Sequence, residues 1–192
     1  VPLGYLQALG EHYGSFGILH IDAHADLRQA YEGFTFSHAS IMYNALMTVP
    51  GITALTQVGV RDYCLEEHKI IRNDPRIAFF SDESLNEDLY EGLTWREQCH
   101  RIMESLPEQV YISLDIDGLS PDLCPNTGTP VPGGLSFQQV DYLLYLLASS
   151  PLKIIGFDLC EVAPGENNPW DAIVGARILH KICCYSYLNN KK

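Results

Sequence analysis

The chain has 192 residues, 46% of them hydrophobic, and 12 Lys and Arg against 24 Asp and Glu give it a formal net charge of -12. That length fits one domain, or two small ones, with a core that needs no staples, and the hydrophobic content excludes wholesale disorder and collagen-like repeats. So negative a field repels phosphate backbones, which excludes nucleic acid as a partner and leaves cations, metal or substrate, for the carboxylates to hold.

In chain order, Leu3, Leu6 and Leu9 give a weak helical stripe over 2–12, and the apolar run 16–22 reads as a strand. A helix is expected over 40–47, a strand over 54–60 and a short strand over 77–80. Residues 94–106 show an amphipathic pattern, with Thr94 as N-cap and Glu97 completing a capping box. The run 110–117 is the next strand, followed by a loop rich in Pro and Gly over 118–134. Ser136 opens a helix to about Ala148, a further strand covers 153–162, and a helix over 170–188 closes the chain. Alternation of this kind implies βαβ units, hence one α/β domain whose parallel sheet is covered by helices on both faces.

No apolar run reaches the roughly 20 residues of a membrane-crossing helix, so no membrane partner is expected. The first ten residues show neither the basic region nor the cleavage site of a secretory signal. The six cysteines, Cys64, Cys99, Cys124, Cys160, Cys183 and Cys184, form no Cys-x-x-Cys pair. They are expected to be reduced and mostly buried in a cytoplasmic protein, with Cys124 more exposed in its Pro/Gly loop.

In open parallel sheets, functional side chains gather beyond the carboxyl ends of the strands. Three expected strands end in such residues: Asp22-Ala-His24-Ala-Asp26, Asp115-Ile-Asp117-Gly118 and Asp158-Leu-Cys-Glu161. Residues two apart in an extended chain share a face, so Asp22, His24 and Asp26 can converge, as can Asp115 and Asp117, whereas Asp158 and Glu161 fall on opposite faces. Several buried carboxylates repel one another unless a cation sits between them. Carboxylates with a single imidazole suit Mn or Mg better than zinc, and four carboxylates exceed what one ion takes. Two metals about 3.5–4 Å apart can supply a nucleophile near neutral pH. The run Asp115-Ile-Asp117-Gly118 also resembles the nucleophile motif of haloacid-dehalogenase-type phosphatases, a distant second reading because it leaves the Asp22–Asp26 triplet unexplained.

Together the stretches Gly17-Ile-Leu-His-Ile-Asp-Ala-His-Ala-Asp26, Ser113-Leu-Asp-Ile-Asp-Gly-Leu-Ser-Pro121 and Gly156-Phe-Asp-Leu-Cys-Glu-Val-Ala-Pro164 resemble the ureohydrolase family of arginases, agmatinases and related guanidino-group hydrolases. The loop Gly128-Thr-Pro-Val-Pro-Gly-Gly-Leu135 and the ending Gly175-Ala-Arg-Ile-Leu179 fit as well. The resemblance implies a three-layer, arginase-like α/β/α sheet and a binuclear Mn2+ centre that hydrolyses a guanidinium to urea and an amine. It implies that Asp22 and Asp115 bridge the metals, that Asp26 completes one metal's shell, and that His24 and Asp117 complete the other's. Glu161 then accepts hydrogen bonds from the substrate guanidinium, a planar donor fork that carboxylates match well, and His38 relays protons. His20 stays outside the metal shell as a hydrogen-bonded core histidine.

One departure stands out. The family carries a further metal-binding histidine in a Gly-Gly-Asp/Glu-His segment, one helix before the first strand motif, and this chain has no such segment. Residues 1–192 are therefore expected to be the C-terminal major part of a single ureohydrolase domain whose N-terminal strands are missing, with one ligand histidine absent. The resemblance is stronger to agmatinases than to arginases. After Gly59-Val-Arg-Asp62 stand Tyr63 and Cys64, where an arginase keeps a second acidic residue. That favours a small cationic guanidino substrate without an amino-acid head, such as agmatine. Arginase, guanidinobutyrase and formimidoylglutamase activities, or a metal-binding but inactive fragment, are the alternatives, and the family implies a homotrimer or homohexamer for the full-length protein.

Overall fold

A computed structural model describes residues 2–191; Val1 and Lys192, the two ends of the expected 1–192 domain, lie outside the described residues. Strand β1 (Phe16–Ile21) is buried at all six positions, as an apolar run covered on both faces by helices must be. It pairs in parallel with β2 (Ile52–Val58) on one side and β4 (Gln109–Asp115) on the other. The strand β3 (Ile77–Phe80) extends the sheet beyond β2 and β5 (Lys153–Cys160) beyond β4, giving the order β3-β2-β1-β4-β5.

Helices α1 (Leu3–Tyr13), α2 (Ile41–Thr48) and α3 (Leu65–Asn73) cover one face, where Leu6, Leu9, Ile18, Met42, Ile71 and Tyr111 pack together. On the opposite face lie α4 (Asp82–Tyr90), α5 (Trp95–Glu104), α6 (Phe137–Ser149) and α7 (Trp170–Asn189), packed around Leu85, Ile102, Ile112, Leu143 and Ile178. The architecture is the expected three-layer α/β/α arrangement on a parallel sheet.

The helix starts follow local chemistry. Thr94 Oγ1 accepts from the Glu97 amide at 3.3 Å while Glu97 Oε2 accepts from the Thr94 amide at 2.8 Å, the expected capping box. Ser136 and Gln139 repeat the arrangement at 3.2 and 2.9 Å ahead of α6. Helices α3 and α4 are absent from the sequence expectation, because each nine-residue segment is densely charged and buries at most one apolar side chain, Ile71 in α3 and Leu85 in α4. Capping signals do mark both: the Cys64 amide donates to Glu67 Oε2 at 2.9 Å, and the Ser84 amide donates to Ser81 Oγ at 3.1 Å.

Strand ends differ from expectation where the backbone turns sharply. Gly59, at φ +89°, ends β2 two residues early, and a single 3-10 turn, Ile116–Gly118, replaces the end of the strand expected over 110–117. The strand expected to reach 162 stops at Cys160, because Glu161 sits in the left-handed region at φ +60°. The cysteines also need correction. Cys124 is fully buried, its Sγ 3.3 Å from the Ile116 carbonyl, while Cys183 and Cys184 are exposed and Cys64 and Cys160 only half-buried. The loop around Cys124 folds back under the sheet end, which its Pro/Gly composition does not reveal. Among the described residues no helix is long and apolar enough to cross a membrane.

After β1 the chain moves towards β2 and β3, and after β4 it moves the other way, to β5. The carboxyl ends of β1 and β4 are therefore neighbours at the point where the winding reverses, the place where an open α/β sheet leaves a crevice for ligands.

Candidate metal centre

Asp22 directly follows β1 and is 1% exposed. Its Oδ1 accepts from the His24 backbone amide at 2.6 Å, and its Oδ2 lies 2.9 Å from His20 Nε2. The ring nitrogen Nδ1 of His24 stands 3.3 Å from Asp22 Oδ1 and 3.4 Å from Asp117 Oδ2. Asp117 reaches across from the turn after β4, and its Oδ1 accepts from the Ala23 amide at 3.2 Å. The triplet and the second carboxylate pair are thus tied to each other, which the phosphatase reading does not use.

The route to convergence is not the one expected. Beyond Ile21 the triplet leaves the strand, and Asp26 takes a left-handed conformation at φ +54°. Its carbonyl accepts from the amides of Met42 and Tyr43 at 3.0 and 3.2 Å, so the start of α2 clamps it in place. A non-glycine residue held at positive φ is strained and persists only where its surroundings over-determine it; Asp26 and Glu161 both are.

All the expected site residues except Asp22 line one cleft of about 360 Å³: His24, Asp26, His38, Asp115, Asp117 and Glu161. Asp22 lies beneath them. Ligand atoms of Asp22, His24 and Asp117 lie within 4.8 Å of one another. His38 opens the 3-10 turn His38–Ser40, with its ring edge-on to Tyr31 at 5.4 Å. Glu161 is exposed at the rim, its carbonyl accepting from Thr127 Oγ1 at 2.9 Å. Asp158 is not part of this cleft; it accepts from the Tyr111 hydroxyl at 2.5 Å and Ser113 Oγ at 3.2 Å, a satisfied structural acceptor.

Two residues escaped the sequence reading. Arg61 donates to the carbonyls of Gly59, Asp117, Leu119, Val131 and Pro132 at 2.7–3.2 Å, so it straps the loop carrying Val131 to the backbone of Asp117. Glu67, 3% exposed, takes the amide of Leu27 at 3.0 Å and that of Cys64 at 2.9 Å, holding the segment after Asp26 against α3. The only sequence signal for Arg61 was a lone arginine directly after a strand in an acidic chain; a cage of carbonyls leaves no mark in side-chain identity.

The electrostatics call for a cation. The carboxylates of Asp26 and Asp115 accept no hydrogen bond from any described residue. Burial first, then the charge of Asp22, holds both well above the usual carboxylate range. Burial also raises Asp117, against the pull of His24. Burial alone would raise Asp22 as well, but its interactions with His20 and then its hydrogen bonds with His24 outweigh it and leave that carboxyl well below its ordinary value. His24 is pushed up to about 10 by its side-chain interactions with Asp117 and then Asp22. Four carboxylates and one imidazole around a crevice, two of the carboxylates with no donor among the described residues, fit hard divalent cations.

A stability profile follows. Asp26, Asp115, Asp117 and His24 all bind protons more tightly in the folded chain than in the unfolded one. Their contribution to metal-free stability therefore falls as pH rises from the ordinary carboxylate range through about 10. Asp22, with its lowered value, acts in the opposite sense and only at more acidic pH. Urea denaturation of the chelator-treated chain should show its midpoint dropping from about pH 5 to about pH 9, and added Mn2+ should cancel most of the drop. A midpoint that rises over this range without metal contradicts the assignment.

A profile of the Arginase family matches residues 1–184. The chain is 40% identical over 177 residues to an N(1)-aminopropylagmatine ureohydrolase of Thermus thermophilus, an alignment covering 92% of this chain and 56% of that protein. With the agmatinase of Halalkalibacterium halodurans it shares 33% identity over 162 residues, covering 82% of this chain and 50% of the other. Among solved structures, the proclavaminate amidino hydrolase from Streptomyces clavuligerus superposes with a TM-score of 0.80 at 28% identity, covering 97% of this chain and 60% of that one. The chain spans about half the length of the curated relatives it matches.

Proposed function

The chain belongs to the arginase family, and on that premise we propose that residues 1–192 form the C-terminal major part of a single ureohydrolase domain that hydrolyses a cationic guanidino compound to urea and an amine. The carrying observation is that His24, Asp26, Asp115 and Asp117 line one cleft at the winding reversal with Asp22 against His24 and Asp117, the carboxylates of Asp26 and Asp115 accepting no hydrogen bond from any described residue. Asp22, His24, Asp26, Asp115 and Asp117 would together hold two Mn2+ ions. When bound, such a pair supplies a water-derived nucleophile near neutral pH and stabilises developing negative charge.

The chain's own residues do the rest. The acidic cleft concentrates a cation, and Glu161 at its rim accepts hydrogen bonds from the guanidinium fork. The imidazole of His38, which also lines the cleft, moves a proton between cleft and solvent. Agmatine, with putrescine as product, is the favoured substrate: Asp62 lines the cleft but Tyr63 and Cys64 follow it, so the position two residues on carries no carboxylate for an amino-acid head. The Halalkalibacterium halodurans relative, an agmatinase, supports the same choice, whereas the name of the Thermus thermophilus relative points to N(1)-aminopropylagmatine, a substituted agmatine.

A longer domain is supported by the share of the relatives' length that is matched, and by the outer edge of β5, half-exposed over Gly156 to Cys160 where β1 is wholly buried. An inactive, metal-binding fragment is the second reading, resting on the same two observations. The test is urea release from agmatine, with arginine in parallel, after Mn2+ loading of this chain and of a version extended upstream. Urea from agmatine alone in the extended version is the expected result. No urea from either compound, with Mn2+ bound, overturns the reading in favour of the inactive one.

Glu161→Gln should separate substrate binding from metal binding. A charge-assisted hydrogen bond contributes about 1.5–3 kcal/mol, so KM for agmatine should rise roughly tenfold or more while metal content stays unchanged. Loss of Mn2+ from this variant, by elemental analysis, contradicts the role given to Glu161.

A further inference from the structure

We infer that His20 is a positioning residue for the metal centre: Gln57 holds it in a single tautomer, and its Nε2–H pins the carboxylate of Asp22. This rests on the metal reading above, but its geometry can be examined separately.

A backbone carbonyl sets the arrangement. His20 and Gln57 are paired positions on β1 and β2 and point to the same side of the sheet. Gln57 is fully buried, and its side-chain amide lies 2.7 Å from the carbonyl oxygen of Ala25, within the turn between His24 and Asp26. A carbonyl only accepts, so the amide atom facing it is the nitrogen. The reverse orientation would set two acceptors against each other.

That same Nε2 of Gln57 stands 3.0 Å from His20 Nδ1. Its second hydrogen therefore meets Nδ1, which must accept, and the ring proton resides on Nε2. His20 Nε2 is 2.9 Å from Asp22 Oδ2 and donates to it. The other carboxylate oxygen, Oδ1, takes the His24 amide at 2.6 Å. Both oxygens of Asp22 thus carry at least one fixed donor each, and the carboxylate plane is set before any cation arrives.

The arrangement leaves Gln57 Oε1 buried without a partner among the described residues. An unsatisfied buried acceptor is unfavourable. The amide nevertheless keeps this orientation, since only this one serves Ala25 and His20 together. His20 itself is 1% exposed, so solvent cannot replace Gln57 at Nδ1.

The test uses the intact chain and Mn2+ as the probe. Long-range imidazole 1H–15N spectra of the metal-free chain should show His20 as the Nε2–H tautomer. His20→Phe keeps the ring volume and removes the donor; Mn2+ affinity should fall about 10–100-fold, the range for lost orienting partners. His20→Gln restores an N–H towards Asp22 and should recover a large part of that loss, which a mere packing role would not do. An Nδ1–H tautomer, or Mn2+ affinity of His20→Phe within twofold of the parent, overturns the inference. If His20→Phe does not fold, the parent spectrum and the His20→Gln titration decide. Absence of Mn2+ binding in the parent chain instead strikes the metal reading, while the spectrum still judges the Gln57–His20–Asp22 geometry.

Discussion

Asp22→Asn is expected to weaken Mn2+ binding by at least about 100-fold and, in the same step, to destabilise the metal-free chain. The substitution keeps shape and removes one charge, so a bland site would tolerate it. Here both oxygens of Asp22 already accept, one from His20 Nε2–H and one from the His24 amide. An amide group has only one acceptor atom, so its NH2 must face one of those donors. One buried donor then loses its partner, at about 1–3 kcal/mol. The loss of a carboxylate proposed to hold the cations adds the binding defect, and a hundredfold corresponds to about 2.8 kcal/mol. Calorimetric Mn2+ titration and thermal unfolding of the variant measure the two effects separately. A variant that binds Mn2+ as tightly as the parent removes Asp22 from the centre.

Gly118→Ala should be nearly as damaging without touching any ligand. Gly118 follows Asp117 in the turn after β4 and lies directly on the end of β1. A Cβ there would stand 2.8 Å from the Asp22 amide nitrogen, 3.1 Å from Asp22 Cα and 3.1 Å from the Ile21 carbonyl carbon. These are backbone atoms of a fully buried strand, so no side chain can rotate away. The two strand ends must separate, and overpacking of this kind destabilises by about 1–3 kcal/mol. Separation also moves Asp117 away from Ala23 and His24, which it meets at 3.2 and 3.4 Å. Reduced thermal stability together with a roughly tenfold or greater loss of Mn2+ affinity is expected. Parent-like stability and affinity would show that the two motifs are not held together through this contact.

Much of the fold is local and was therefore legible. Apolar runs at 16–22 and 110–117 mark β1 and β4 because strands buried on both faces need little else, the run at 153–162 marks β5 even though that strand is half-exposed, and Thr94 and Ser136 announce helices through a three-residue spacing. The triplet Asp22-Ala-His-Ala-Asp26 was readable because carboxylates and imidazole at a strand end have few bland uses. What escaped depends on contacts distant in sequence. The left-handed turns at Asp26, after β1, and at Glu161, which ends β5, are imposed by α2 and by the Thr127 side chain. Asp158 looks like a site residue until Tyr111 and Ser113, on the neighbouring strand, are seen to satisfy it. Arg61 does its strapping through carbonyls, and α3 and α4 are too short and too charged for periodicity to reveal.

The centre itself is tested most directly by titrating the metal-free chain with Mn2+ at constant pH and counting protons released, by calorimetry in two buffers of different ionisation enthalpy. His24 is held protonated up to about 10 by Asp117 and Asp22, and metal binding requires its free nitrogen. Saturable binding that releases at least about one proton at neutral pH, and that tightens as pH rises, is the predicted result. No saturable binding, or binding with neither proton release nor pH dependence, would contradict a metal centre built on Asp22, His24, Asp26, Asp115 and Asp117.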